Sequence, residues 1–353
     1  MVETSFKANS IQLKKLICCE VSFCFDQKAE WSLFLWFKMR LSYFKKRCRF
    51  VINIIQFKLH NFEVALKASI RGTIIVVGPA KCIGFSILKG NLLRMLKLKS
   101  NNNFKVPWII GHRGYPAKYP ENTLASFQAA IAAGATMLEL DVMLSRDRKL
   151  VVIHDATLER TTNGHGAVAD FTLAELKRLD AGSWFDAPSA DQQLPELSEV
   201  LDLVNGRSYV NIEIKSNAYE AHHPPDAVEK QVVELLRQKN LLDSCMISSF
   251  DVNVLEQIAF MEEPPAIAFI SKKPAGKSTA KMCTRLHVFS WHPECRIVTP
   301  KQVDMMHAYG IKVFPYNVDS LEDYIRVRDM KVDGVITNDP ALAGYWTGIK
   351  KAA

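Results

Sequence analysis

Nine short apolar runs, most separated by amphipathic stretches, follow one another through residues 106–353, and this alternation constrains the fold of the 353-residue chain more than any other feature. The runs lie at 108–111, 137–142, 150–153, 209–214, 244–248, 266–270, 286–290, 311–316 and 334–336. Helical patterns fall between most of them, at 122–133, 226–238, 251–259, 300–308 and 320–328, and 340–346 closes the series. Thr172 with Glu175, and Ser320 with Asp323, have the spacing of helix N-terminal caps. Strand and helix alternating over this length predict a parallel α/β domain: a (β/α)8 barrel of the TIM type, with an open doubly wound sheet as the alternative.

Nine strands exceed the eight places of such a barrel. Between 142 and 150 stand only the seven residues MLSRDRK, too few for a helical crossover between parallel strands. Strands 137–142 and 150–153 are therefore expected to form a hairpin, the second an accessory to the barrel. That pairing brings His154 opposite Glu139 and Asp141.

The polar residues within these strands carry the functional signal. Trp108, Ile109 and Ile110 are followed directly by His112 and Arg113. Glu139 and Asp141 in MLELDVM are two apart, so they share one side of a strand, and Glu213 and Lys215 repeat the arrangement. Carboxylates in such apolar strands are costly unless paired or bound to a cation. In a barrel, strand C-termini converge on the face where active sites lie. Each residue has a plainer reading: Glu213 with Lys215 as a simple ion pair, Glu139 and Asp141 as partners of Arg113, and His112 as a structural histidine. Taken together they suit one chemistry. Three carboxylates without a cysteine favour a hard cation, Mg²⁺ or Ca²⁺. Arg113 and Lys215 suit phosphate oxygens. Two histidines, His112 and His154, can serve as general base and general acid. The set specifies metal-assisted phosphodiester cleavage.

In order, HRG (112–114), PENT (120–123), ELDV (139–142), HD (154–155), TLERTTNG (157–164), EIK (213–215), SSF (248–250) and DGVITND (333–339) resemble the glycerophosphodiester phosphodiesterase family. The resemblance spans residues 107–346. It implies a (β/α)8 barrel that hydrolyses glycerophosphodiesters, small-molecule substrates, to glycerol 3-phosphate and an alcohol in glycerophospholipid catabolism. It further implies Glu139, Asp141 and Glu213 as ligands of one divalent cation, His112 and His154 as the acid/base pair, and Arg113 and Lys215 on the phosphate. Glu121 and Asn122 of PENT, and Tyr316, are secondary or substrate groups on this reading. Residues 155–208 resemble the family's insertion at the barrel mouth, where Trp184 or Phe185 would cover the glycerol. Two stretches depart from the family pattern: Tyr316–Asp319, where a Trp-Thr-Val-Asn run is usual, and Thr337-Asn338-Asp339, where Thr-Asp is usual. Both are expected to shape the later wall of the pocket and so substrate preference. The competing readings are a relative acting on lysophospholipids or phosphoinositides, and a non-catalytic phosphate-binding module.

Charge divides the chain at the same boundary. Residues 1–105 hold 19 Lys/Arg against 5 Asp/Glu; the net charge of +8 therefore leaves residues 106–353 at −6. KKRCR at 45–49 would suit nucleic acid and the scattered aromatics a membrane surface. The reading adopted is a basic, poorly ordered extension or a start set too early, with Met95 the alternative. It has no nucleic-acid partner and at most a weak membrane-surface contact. Five of the eight cysteines lie in it, and Cys245, Cys283 and Cys295 in the body lack zinc-ligand spacing. The short apolar runs predict no transmembrane segment, and the body resembles the cytosolic bacterial branch, which implies a cytoplasmic location.

Overall fold

The structure, a computed structural model, describes residues 108–186, 189 and 191–348. The readings of the 1–105 extension, its basic run and its cysteines lie outside the described residues. Among the described residues there are nine strands: β1 (Trp108–Gly111), β2 (Met137–Leu144), β3 (Leu150–Val152), β4 (Tyr209–Ile214), β5 (Cys245–Ser249), β6 (Ala266–Ser271), β7 (Ser290–Pro293), β8 (Lys312–Val313) and β9 (Gly334–Thr337). Helices α1 (Leu124–Ala133), α2 (Leu197–Val204), α3 (Val228–Gln238), α4 (Val252–Ala259), α5 (Lys277–Arg285), α6 (Pro300–Ala308), α7 (Leu321–Asp329) and α8 (Pro340–Trp346) follow the barrel strands in turn. The parallel order is β8-β7-β6-β5-β4-β2-β1-β9. Backbone bonds from Asp333 N to Val313 O (3.0 Å) and from Ile336 N to Pro315 O (2.9 Å) draw the two ends together. The result is a nearly closed (β/α)8 barrel.

As the short 143–149 link requires, β3 pairs antiparallel with β2 as a hairpin, Val142 opposite Val152. Ile153 N then donates to Asp141 O, so His154 follows directly beside the strand that carries the carboxylates. The chain makes its excursion between β3 and α2. That excursion has its own small core of Met143, Val151, Ile153, Leu158, Val168 and Leu176, and Thr172 and Glu175 form a capping box on one helical turn, Leu173–Leu176. The segment read as 155–208 thus contains two things, since Leu197–Val204 is the regular crossover helix between β2 and β4.

Strand alternation sorts side chains between two cores. Leu138, Leu140, Val142, Val210, Ile212 and Ile214 face the helices, whereas Trp108, Ile110, Met137, Tyr209, Met246, Phe289 and Phe314 fill the barrel floor. Burial on both faces explains why the floor ends of the strands read as continuous apolar runs. One expected strand lies elsewhere: 286–290 gives way to Ser290–Pro293. Leu286 caps α5 and His287 has φ +55°, so the apolar run is spent on a helix end and a turn.

Candidate active site

The first strand ends in a tight turn that aims two side chains differently. Gly114 has φ +91°, and a Cβ there would lie 2.4 Å from Ser126 Oγ, so glycine is required. Ser126 Oγ donates to Arg113 O (3.0 Å) and accepts from Tyr115 N (2.7 Å), stapling the turn to the first helical turn of α1. Thr123 caps that helix, accepting from Ser126 N, and Gly134 at φ +92° ends it. The PENT residues are therefore spent on both structure and site. Buried Asn122 donates to Asp141 Oδ2 (2.9 Å), and Glu121 Oε1 accepts from Arg113 Nη1 (2.7 Å).

From β2 and β4, Glu139, Asp141 and Glu213 all point into the barrel mouth. One ligand oxygen from each lies within 4.8 Å of the others, and all three residues are buried. Burial and the neighbouring charges of Asp141 and Glu213 push Glu139 well above the usual carboxylate range. Burial and Asp141 likewise raise Glu213 to about 7. Burial acts on Asp141 too, but Lys215 and Arg113 prevail and hold it at about 2. Lys215 Nζ contacts Asp141 at 3.2 Å and Glu213 at 2.8 Å, and Arg113 Nε lies 3.3 Å from Asp141. Arg113 N donates to Glu139 Oε2 at 2.8 Å. Two of three crowded carboxylates are thus reluctant to ionise with only the protein's own cations beside them. An all-oxygen donor set of this kind fits a hard divalent cation, which would relieve that repulsion.

The two histidines near this cluster have unlike partners. His112 Nδ1 lies 2.7 Å from Asn338 Oδ1. Asn338 is gripped in turn by Asp319, which accepts from its backbone N (2.7 Å) and its Nδ2 (2.6 Å). Burial and Arg113 lower His112 to about 4. His154 Nδ1 instead lies 2.5 Å from Asp155 Oδ1, and burial lowers this ring as well, against the pull of Asp141 and Asp155. Asp319 and Asn338, expected on the pocket's later wall, here hold His112 in place. The partner of His112 lies 226 residues away on the closing strand's loop, so no local spacing reveals it. The HD pair did signal Asp155, and Arg160, which binds both Asp155 and Glu121, stood unassigned within TLERTTNG.

Tyr316 is half-buried at the far side of the mouth, edge-on to Phe250 at a centroid distance of 6.3 Å. Burial and the charges of Glu294 and Glu213 raise its phenol. Trp184 and Phe185 pack edge to face at 5.7 Å in the excursion, and Trp184 Nε1 donates to Ala181 O (2.9 Å). Phe185 also lines an open cleft with Tyr119, Asp186 and Gln192. These contacts join the aromatic pair to the excursion and that cleft rather than to the carboxylates.

The profile of the glycerophosphoryl diester phosphodiesterase family matches residues 112–342. A glycerophosphodiester phosphodiesterase of Caldanaerobacter subterraneus subsp. tengcongensis is 39% identical over 233 residues, which cover 66% of this chain and 94% of that one. A second, from Bacillus altitudinis, is 34% identical over 67% of this chain and 96% of its own. Among solved structures, an Oleispira antarctica phosphodiesterase in complex with the product sn-glycerol-3-phosphate superposes with a TM-score of 0.62 at 27% identity. That match covers 69% of this chain and 97% of the other.

Proposed function

The chain belongs to the glycerophosphoryl diester phosphodiesterase family, and on that premise we propose that it hydrolyses glycerophosphodiesters to glycerol 3-phosphate and an alcohol, using a divalent cation and two histidines of unlike protonation. One observation carries the mechanism: a neutral amide holds one ring and a carboxylate holds the other, both within reach of the Asp141 charge in a buried three-carboxylate cluster.

The partners assign the protons. Asp319 only accepts, so the side of Asn338 facing it is the NH₂, and the amide oxygen faces His112. His112 Nδ1 therefore carries the proton and Nε2 is left as an acceptor. With its pKa held near 4, the ring is neutral at pH 7. As the attacking water oxygen bonds to phosphorus, its proton passes to His112 Nε2. His154 also donates through Nδ1, but to a carboxylate, which favours imidazolium against the burial and neighbouring cations that lower the ring. The phosphodiester anion adds a second negative charge beside it. Its Nε2 proton goes to the alcohol oxygen as the P–O bond breaks, and both rings then reset by exchange with solvent.

Glu139, Asp141 and Glu213 would hold Mg²⁺ or Ca²⁺, which when bound supplies Lewis-acid stabilisation of the phosphate charge. With the carboxylates neutralised, Lys215 and Arg113 are released from part of their pairing and can bind the phosphate oxygens. Glu121 holds Arg113 in that aim, and Asn122 fixes Asp141. We read the enzyme as serving glycerophospholipid catabolism in the cytoplasm. Among the described residues no helix is long and apolar enough to cross a membrane.

The test is product release. The protein is incubated with glycerophosphocholine, glycerophosphoethanolamine and glycerophosphoglycerol, with chelator and after adding back Mg²⁺ or Ca²⁺. Release of glycerol 3-phosphate that stops with chelator and returns with a dication is expected. Full turnover in chelator would overturn the cation's role, and absence of product from every diester would overturn the reaction.

A further inference from the structure

Arg160 joins the two ends of this chemistry. It stands in the excursion after β3, with its side chain 43% exposed at the barrel mouth. Its guanidinium donates from Nε to Asp155 Oδ2 at 2.5 Å, from Nη1 to Glu121 Oε2 at 2.8 Å and from Nη2 to Glu121 Oε1 at 2.8 Å. Each of those carboxylates has a second partner. Glu121 Oε1 also accepts from Arg113 Nη1 at 2.7 Å, and Asp155 Oδ1 faces His154 Nδ1 at 2.5 Å. A continuous chain therefore runs from Arg113 through Glu121, Arg160 and Asp155 to His154.

Sharing fixes orientation. With Oδ2 pinned by Arg160, the Asp155 carboxylate cannot rotate freely, and Oδ1 stays on His154 Nδ1. The forked grip on both oxygens of Glu121 likewise presents Oε1 to Arg113. Exposed ion pairs add little to stability, so five groups ordered at a site mouth call for another reason. A guanidinium's planar fork grips both oxygens of Glu121 while Nε holds Asp155, each in a fixed direction; an ammonium is a point charge on a flexible stem.

We propose that Arg160 is a positioning residue, holding the proton donor His154 and the phosphate clamp Arg113 in one rigid frame so that gripping the phosphate and protonating the leaving oxygen occur in register. The inference rests on the phosphodiester-hydrolysis reading above. It goes beyond it by assigning a role to a residue to which that reading gives none.

The test uses Arg160→Ala and Arg160→Lys, each alone and with His154→Ala, on glycerophosphocholine and on a nitrophenyl diester of glycerol 3-phosphate. Thermal unfolding of each variant is recorded beside the kinetics. For Arg160→Ala, kcat on glycerophosphocholine should fall about tenfold to a hundredfold, less than the ~10²–10⁴-fold cost of a missing proton donor. KM should rise as Arg113 loses its aim. The nitrophenyl diester, which needs little protonation, should restore kcat but leave KM raised, a split that general loosening of the fold would not give. In the His154→Ala background, Arg160→Ala should lower kcat no further, because the residue acts through that ring. Arg160→Lys keeps the charge at this exposed position and should restore only one of the two effects; it carries the same test if the alanine variant unfolds. Wild-type kinetics in both Arg160 variants, or losses that multiply with His154→Ala, would overturn the proposal. A wild-type protein that releases no glycerol 3-phosphate fails differently, since every variant then reads zero, and it is the reaction that is refuted.

Discussion

The two halves of the barrel are built from the same repeat and carry different burdens. From β1 to β4 the inward positions at the mouth are His112, Arg113, Glu139, Asp141, Glu213 and Lys215, with His154 and Asp155 on the hairpin beside them. From β5 to β8 the corresponding rows hold Ser248, Ala268, Ser290, His292 and Phe314, neutral groups around an apolar floor, and charge returns only further out, at Lys272 over the Phe250 ring and Glu294 beside Tyr316. The register is continuous across the boundary: Glu213 lies opposite Ser248. What differs is charge. The first half concentrates buried carboxylates whose mutual repulsion favours cations beside them. The second half packs, and returns to the chemistry only where the barrel closes, through the Asp319–Asn338 grip on His112. A (β/α)8 barrel can thus assign function to one arc of its rim and leave the other to shape and closure.

The largest effect expected to divide the halves is the loss of Asp141, the carboxylate that stays ionised at about 2 and contacts both Lys215 and Arg113. Asp141→Asn should abolish divalent-cation binding measured by titration calorimetry. Loss of several kcal/mol of transition-state charge stabilisation makes kcat/KM fall on the order of 10³-fold or more. Ser248→Ala, one register position across the boundary, should cost less than about tenfold by the same reasoning, since it removes no charge. Similar losses in the two variants would break the comparison.

The smallest effect belongs to the second half and is visible in stability rather than turnover. His292 is buried, with Nε2 2.9 Å from Ser290 Oγ, and burial lowers it to about 3. The native state therefore resists a proton that the unfolded chain takes up near pH 6.5. The stability this group protects is whole above that value and is lost progressively as pH falls toward 3. His292→Gln should flatten the pH dependence of urea unfolding between pH 6 and 4 by up to about 1.4 kcal/mol per pH unit. His112, lowered in the same sense, keeps a residual slope. Turnover at pH 7 should change less than about twofold, as expected of a change away from the charged site. An unchanged pH slope, or a collapse of kcat, would place His292 in the working half.

How much of this was legible depended on where polarity fell. Charges inside apolar strands are conspicuous, so Glu139, Asp141, Glu213, Lys215 and His112 stood out, and the seven-residue link at 143–149 fixed the hairpin that brings in His154. Strand β7 was misplaced because its inward residues, Ser290 and His292, are polar while the preceding Leu286, Val288 and Phe289 are apolar. Helix α5 gave little periodic signal because Ala280 and Cys283 are its buried residues. Asn338 and Asp319 read as pocket wall because their meeting with His112 exists only once the barrel closes. Arg160 was hidden for a different reason: an exposed arginine in an irregular excursion is ordinary until its two carboxylate partners are located.

The central claim is that the two histidines of the charged half are divided by their partners, His112 on an amide as base and His154 on a carboxylate as acid. The most direct measurement compares His112→Ala and His154→Ala on glycerophosphocholine and on the nitrophenyl diester of glycerol 3-phosphate. Both variants should lose ~10²–10⁴-fold in kcat on the natural diester. On the activated one, whose leaving group needs no proton, His154→Ala should recover most of its rate and His112→Ala should not. Recovery by His112→Ala instead would reverse the assignment, and natural-diester rates near wild type in both variants would contradict the paired-histidine mechanism altogether.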